Sequence, residues 1–330
     1  MKVRDLSIDY AKGIAILLVY MGHSILYYPP GLFADCQWSK VLGQMIVSCN
    51  MPLFFFISGL LFAYSKKRNL EVVKDKVRRL LIPYLFTMML VVIAKQFLPA
   101  DMSANSGGGA FFWISNIFVY GGERWFVYVL MWIFLLSLPL RKIASSQWIW
   151  IAIAISFGMT IFFTLPKVFK LDMVLWYISF FLIGMYLNQF YVEFRKWNTK
   201  YAIGVIIAFV MLNIVFVRAL MTLPPLKIIV LPLTGTIGVM TLSWLLDDWC
   251  KKKGKENVIA IYIAYCGRYS LQFYLFTFAY PIIRYVIVKV LHITAPLPVF
   301  SLVFVLQLIV MTAIVEVTRR IRLLKIPMGY

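Results

Sequence analysis

Apolar residues recur along the chain in long blocks separated by short polar stretches. Ten blocks are long enough to be read as membrane-crossing helices: 6–28, 41–64, 80–98, 125–140, 147–165, 173–191, 201–221, 227–246, 269–290 and 298–318. A helix rises about 1.5 Å per residue, so about 20 apolar residues cross a hydrocarbon core about 30 Å thick. Two further apolar stretches are too short for that. Residues 110–120, AFFWISNIFVY, follow the polar SANSGGG and are expected to form a re-entrant or interfacial piece on the outer side. Residues 257–267 are similar and lead into the ninth block. No repeat of fixed period is visible. The pattern predicts an all-α, polytopic integral membrane helix bundle, with one domain over residues 1–330.

Charge gives this picture a direction. The chain holds 33 Lys and Arg against 13 Asp and Glu, a formal charge of +20. Twenty-two of the 33 fall in alternate segments, at 2–4, 66–79, 141–142, 195–200, 251–255 and 319–325. Cytoplasmic loops collect Lys and Arg, so both termini and the 65–79 loop are expected in the cytoplasm of a cell (inner or plasma) membrane protein, and the number of spans should be even. In a soluble protein such an excess would suggest nucleic acid. Here composition speaks for lipid as the partner: 62% of residues are hydrophobic and 14% charged, against roughly 45–50% and about 25% in soluble domains. This excludes an ordinary soluble or disordered chain and a β-barrel, whose strands alternate. Cys36, Cys49, Cys250 and Cys266 are scattered without a CxxC, so neither a disulfide framework nor a metal site is expected. The N-terminal stretch has the outline of a signal peptide. Asp9 and Lys12 inside its core, and the lack of a small-x-small cleavage site, mark it as a retained first helix.

Charges inside spans are costly and point to function by default. Asp9, Lys12 and His23 all fall in the first helix. Asp9 and Lys12 are helical neighbours, and the eleven steps from Lys12 to His23 turn only about 20° past three full turns, so the three share one stripe. Lys12 stands near the cytoplasmic entrance and His23 roughly 16 Å farther on. A histidine near neutrality can serve as a general base; alternatively, Asp9 and Lys12 neutralise each other near the headgroups and His23 snorkels outward. In the second helix, Asn50-Met51-Pro52 can offer a hydrogen-bonding side chain and a freed carbonyl. Ser58-Gly59 makes a small patch for a thin ligand or for helix packing. Lys76, Arg78 and Arg79 stand just before the third helix. They serve as a positive-inside stop signal, and as a possible grip on the phosphates of a cytoplasmic acyl-CoA. No Walker pattern and no GxGxxG after a strand occurs, which speaks against nucleotide hydrolases and Rossmann enzymes. Glu123, Arg124 and Trp125 open the fourth long block at the outer side, either lining a sugar site or forming an interfacial pair beside an aromatic belt. Asp172, Trp176 and Tyr177 share that end. Arg268 and Tyr274 lie at the ninth block, and Glu316 is expected to pair with Arg319 and Arg320.

At these residues the sequence resembles the acyltransferase-3 family of multi-pass membrane acyltransferases, in its fucose-4-O-acetylase-like branch. The matching stretches are IDYAKGIAILLVYMGHS, MPLFFFISGLLF, KVRRLLIPY, ERWFVYVL, FFLIGMYL and GRYSLQFYLF, in order over residues 4 to about 280. The family shows a basic residue, ten residues and a histidine in its first helix, which Lys12 and His23 match. Its RxxR-like motif, associated with acyl-CoA, falls at Lys76-Val77-Arg78-Arg79. Two positions depart from the pattern: Asn50 stands where the branch commonly has histidine, and Thr277 where the family often has another.

The resemblance implies a membrane O-acyltransferase, above all an O-acetyltransferase. It would move an acyl group from cytoplasmic acetyl-CoA or another acyl-CoA to a hydroxyl of a cell-surface or lipid-linked glycan. His23 would be general base. Lys12, with Asp9 beside it, would support the donor or stabilise developing negative charge. The basic loop, with Ser58 and Gly59, would hold the CoA, and Asn50, Glu123, Arg124 and Trp125 would face the acceptor. The alternative is a glycan or lipid exporter on the same scaffold, which the two missing histidines favour and the Lys12–His23 pair opposes.

Overall fold

The computed structural model describes residues 5–26, 31–65, 67–97, 109–143, 146–219, 226–254, 257–277 and 279–330. Of the basic residues counted above, Lys2, Arg4, Lys66 and Lys255 lie outside these ranges, as do residues 103–108 of the SANSGGG segment and the tips of the spans predicted over 6–28, 80–98 and 201–221. Among the described residues every regular element is helical and no strand occurs.

The helices fall where the hydropathy places them. They are α1 Leu6–Leu26, α2 Gln37–Ala63, α3 Asn69–Phe97, α4 Ala110–Phe118, α5 Trp125–Leu140, α6 Ile149–Phe162 and α7 Leu171–Leu187. After them come α8 Tyr191–Lys200, α9 Ala202–Ala219, α10 Leu231–Lys253, α11 Val258–Arg268, α12 Ser270–Leu275, α13 Ala279–Tyr285 and α14 Pro296–Arg320. Six helical stretches are long and apolar enough to cross a membrane: Gln37–Ala63, Asn69–Phe97, Ala110–Ile143, Val168–Lys200, Lys227–Lys253 and Pro296–Arg320. The protein is therefore polytopic by length and composition. The other predicted spans coincide with helices that are shorter, more polar or interrupted.

Two predicted segments take a different form. The ninth block is not one rod: α12 ends at Leu275, α13 starts at Ala279, and a π-helical turn continues over Val286–Val290. The short 257–267 segment is a helix in its own right, α11, packed along α1. Its apolar run serves a helix–helix contact, which hydropathy does not distinguish from a lipid-facing surface.

The first helix is the central post. It contacts α2, α10, α11 and α14, and Ala11, Ala15, Ile16, Val19 and Tyr20 along it are all buried. Two glycine pairs set the closest approaches. Gly13 of α1 faces the Ile263 carbonyl of α11, and Gly267 faces the Asp9 carbonyl. Gly59 of α2 faces the Phe181 carbonyl of α7, and Gly184 faces that of Phe56. A Cβ at any of the four would collide with backbone that cannot move aside. Small residues let backbones meet where lipid offers no hydrophobic drive. Replacing Gly267 by Leu is expected to cost more than the 1–3 kcal/mol or so of ordinary overpacking. Loss of the monodisperse peak in detergent size-exclusion chromatography, compared with Gly204→Leu, which has open space, checks this.

Side-chain bonds knit the bundle at two ends. At one end Arg195 pairs with Asp247 at 2.7 Å and Asp248 at 2.6 Å, and Lys251 pairs with Asp247 at 2.6 Å. Tyr191 donates to Asp5 at 2.9 Å. Arg141 donates to the carbonyls of Ser65 and Lys67. These contacts gather basic segments that the sequence reading assigned to one side. At the other end Tyr84 donates to the Ile117 carbonyl at 2.6 Å, and the Phe169 N–H donates to that of Val119 at 2.8 Å.

Candidate active site

The last turns of α1 are anchored from three sides. A helix end leaves carbonyls without intrahelical donors, and here those acceptors are buried. Arg284 of α13 donates to the Ser24 carbonyl at 2.6 Å, and its guanidinium also approaches that of His23 at 3.5 Å. A cation is favoured at this pole of a helix. Gln307 of α14 donates to the Tyr20 carbonyl at 3.0 Å and to the Ser24 hydroxyl at 2.6 Å. Tyr20 in turn donates to the Phe273 carbonyl at 2.8 Å. The backbone bearing His23 is thus fixed by groups other than its imidazole. The imidazole stacks on Tyr280, with ring centroids 4.8 Å apart and planes 16° from parallel.

Opposite, the turn before α5 sends its two charged residues in different directions. Gly121 and Gly122 carry φ of +69° and +48°, left-handed values that suit glycine. The turn they make carries Glu123 outward into an ion pair with Lys95. Arg124 turns inward, is 3% exposed, and donates from Nη1 to the Thr277 hydroxyl at 3.2 Å. Tyr280, whose ring stacks on His23, donates its N–H to the Thr277 carbonyl at 3.3 Å, so Arg124 and His23 are joined through one short turn. Glu123 and Arg124 therefore do not form the mutual pair that adjacency suggested.

Trp125 continues the wall. Its ring stacks on Tyr177 at 5.8 Å, and Tyr177 stacks on Trp176 at 4.6 Å and on Phe55 at 4.5 Å. Asn50, buried one turn before Phe54, accepts the Met51 N–H at 2.6 Å. Of the predicted acceptor-side residues, Arg124 bonds Thr277 at the turn that carries Tyr280, Trp125 belongs to the aromatic wall, and Glu123 faces away toward Lys95.

The basic end holds the rest. Asp9 and Lys12 form an ion pair at 3.2 Å, about eleven residues and roughly 16 Å along α1 from His23. Lys76 turns inward and lies 3.7 Å over the Phe134 ring, a cation–π contact. Beyond it, the helix opens into a π turn over Val77–Leu81. Pro83 has no N–H to give the Arg79 carbonyl, and Gly329 packs against that carbonyl. Arg78 and Arg79 are exposed and line a cavity of about 170 Å³ with Asp75, Gly329 and Tyr330. Asp75 pairs with Lys67. Gly59 is occupied by the α2–α7 contact, the packing role left open for Ser58-Gly59. Among the described residues no group of three or more metal-ligating side chains stands together.

Three members of the His23 cluster, Tyr280, Arg284 and Gln307, are missed by the sequence reading. Arg284 is a lone cation in the apolar run YPIIRYVIV, and Gln307 a lone amide in FSLVFVLQLIV. Both are the costly intraspan polar groups that mark buried networks.

Comparison with known proteins bears on what such a site does. The family model described as an acyltransferase domain matches residues 5–316. Nodulation protein NolL of Mesorhizobium japonicum is 40% identical over 90 residues, 27% of this chain and 24% of the relative. Nodulation protein NolL of Sinorhizobium fredii is 34% identical over 159 residues, 46% of this chain and 41% of the relative. The match thus spans less than half the length of either relative. No solved structure matches. The family model runs from the Asp9–Lys12 pair through His23 and Arg124 to Glu316, and on that extent the chain belongs to the acyltransferase-3 family.

Proposed function

We propose that the protein is a multi-pass membrane O-acyltransferase, above all an O-acetyltransferase. It takes the acyl group from acyl-CoA at the basic end and delivers it to a hydroxyl of a cell-surface or lipid-linked glycan at the other. The observation that carries this is a helix bundle of this family in which one turn ties two groups together: Tyr280 stacks on His23 and its N–H donates to the Thr277 carbonyl, while the Thr277 hydroxyl accepts from buried Arg124. His23 takes the proton of the acceptor hydroxyl as its oxygen attacks the thioester carbon. The carbon–sulfur bond then breaks, and the imidazolium returns the proton to the departing thiolate. Lys12, roughly 16 Å along α1, is too far from His23 to touch the same tetrahedral carbon. It supports the donor beside Asp9, and Arg124 takes the role of stabilising the negative charge on the former carbonyl oxygen. Trp125 and Tyr177 offer stacking faces to a sugar, and Asn50 orients it. Ala15, Ile16, Val19 and Tyr20 pack the level between the two ends, so the donor arm enters along the half-buried Ile14, Leu17 and Leu18 face of α1 by local opening. Transfer from labelled acetyl-CoA to a glycan acceptor in proteoliposomes tests the proposal; glycan translocation without acylation would support an exporter instead.

The reading places ten spans and both termini in the cytoplasm of the cell membrane, as one domain over 1–330. Reporter fusions at residues 70 and 253 are expected to give a cytoplasmic signal; an external signal at either rejects the orientation. Arg78 and Arg79 hold donor phosphates. Replacing both by Ala is expected to raise KM for acetyl-CoA by about tenfold or more, the loss of one or two charge-assisted hydrogen bonds, with little change in KM for acceptor. Unaltered donor kinetics would leave the loop as a topology signal alone.

A further inference from the structure

A larger cavity, of about 520 Å³, adjoins the one lined by Arg78 and Arg79, and the two meet at Gly329 and Tyr330. Arg268, Arg319, Arg320 and Lys325 line the larger cavity, together with Tyr269 and Gln272. Four cations come from two separate parts of the chain, 268 and 319–325, and no Asp or Glu side chain shares that lining. Glu316 lies behind it, pairing with Arg319 at 2.6 Å and only weakly with Arg320 at 3.4 Å, and so orients the first without neutralising the wall.

The wall is built rather than incidental. The segment after α14 folds back on the bundle. Gln272 donates to the Met328 carbonyl at 3.0 Å. The Tyr330 hydroxyl lies 2.7 Å from that of Thr318 and 3.1 Å from the Val315 carbonyl. Gly329 has φ of +74° and sits against the Arg79 carbonyl, Pro83 and Leu271. The rings of Tyr269 and Tyr330 stand 6.0 Å apart at 64°, and the Arg319 guanidinium lies 5.8 Å over Tyr269. Aromatic faces beside a group of guanidinium forks suit a ligand that carries both a base and phosphates. A lipid headgroup would use the cations and leave the rings idle.

We infer that the cavity walled by Arg268, Arg319, Arg320 and Lys325 binds the phosphorylated nucleotide headgroup of the acyl donor, with Arg78 and Arg79 across Gly329–Tyr330 holding another phosphate of the same molecule. This rests on the acyl-CoA reading above and extends the donor site from one basic loop to the α11–α12 and post-α14 segments. Anionic phospholipid shares the phosphate chemistry, and the test separates the two sources.

Full-length protein in phosphatidylcholine nanodiscs is titrated with CoA and with adenosine 3′,5′-bisphosphate, a headgroup probe that lacks the thiol arm. The double variant Arg320→Ala/Lys325→Ala is expected to weaken both probes by about tenfold or more, roughly 1.4 kcal/mol. Lys142→Ala/Lys252→Ala removes the same charge from the same end outside the cavity and is expected to bind within about twofold of wild type. The contrast should persist in nanodiscs containing phosphatidylglycerol. Wild-type affinity of the first variant for both probes overturns the inference, as does an equal loss in the second variant. Loss of retained phosphatidylglycerol with nucleotide affinity intact assigns the cavity to lipid and overturns it too. If wild type binds CoA and the bisphosphate through Arg320 and Lys325 yet transfers no acyl group, the cavity assignment stands and the acyltransferase reading falls. If neither probe binds wild type, both fall.

Discussion

His23→Gln is expected to lower acyl transfer by about 10²–10⁴-fold, the usual contribution of a positioned general base, while expression and acyl-CoA binding stay near wild type. Glutamine can keep a hydrogen bond but cannot accept a proton. The structure makes this contrast interpretable. Arg284 and Gln307 hold the backbone carbonyls at the end of α1, and the imidazole contributes a stacking contact with Tyr280. Those backbone anchors are present whichever side chain stands at position 23. His23→Ala should fail equally in turnover, so that the two variants agree although one retains a polar group. Single-turnover transfer from labelled acetyl-CoA in proteoliposomes is the measurement. Turnover of the Gln variant within about fivefold of wild type would mean that His23 positions substrate and that the proton goes elsewhere.

Much of this arrangement is legible in the sequence, because two of its rules are local. Helical periodicity alone puts Asp9, Lys12 and His23 on one stripe of α1. The Asp9–Lys12 pair follows from a three-residue spacing, and the Glu316–Arg319 pair is read the same way. Apolar block length locates the helices, since each hides its own backbone polar groups. What local rules do not give is direction about a turn. Glu123 and Arg124 are neighbours in sequence, yet the left-handed Gly121–Gly122 turn and the start of α5 send one to Lys95 and the other to Thr277. Lys76 and Arg79 are likewise neighbours on one basic run, but the π turn ahead of Pro83 puts Lys76 over Phe134 and leaves Arg79 at the surface. Nor does hydropathy tell lipid-facing from helix-facing surface. The apolar run of α11 is too short to span, and it is Gly267, not its hydrophobicity, that fixes it against α1. The fold-back after α14 has no signal in periodicity, because it leaves the helix and docks on Gln272 and Tyr269, more than 50 positions earlier in the chain.

Thr277 is where the sequence departs from the family's histidine, and it is also where Arg124 docks. The two facts together decide the second large effect. A hydroxyl accepts from the guanidinium, whereas a protonated imidazole would repel it, so this chain holds a cation against position 277 rather than a second base there. Arg124→Gln is expected to lower kcat by about 10²–10³-fold, the cost of removing one preorganised donor to an oxyanion. The KM for donor and acceptor should change far less, because the interaction is made in the transition state. Thr277, whose hydroxyl accepts from Arg124, can accept equally from the glutamine amide, and Gln leaves no buried cation in its place. Arg124→Lys retains the charge but loses the planar fork that can bond Thr277 and a second acceptor at once, and should recover only part of the loss. Steady-state kinetics of both variants, with monodispersity in detergent as the control for folding, give the answer. A variant whose acceptor KM rises while kcat holds would assign Arg124 to ground-state sugar binding, and the charge that forms at the thioester would need another partner.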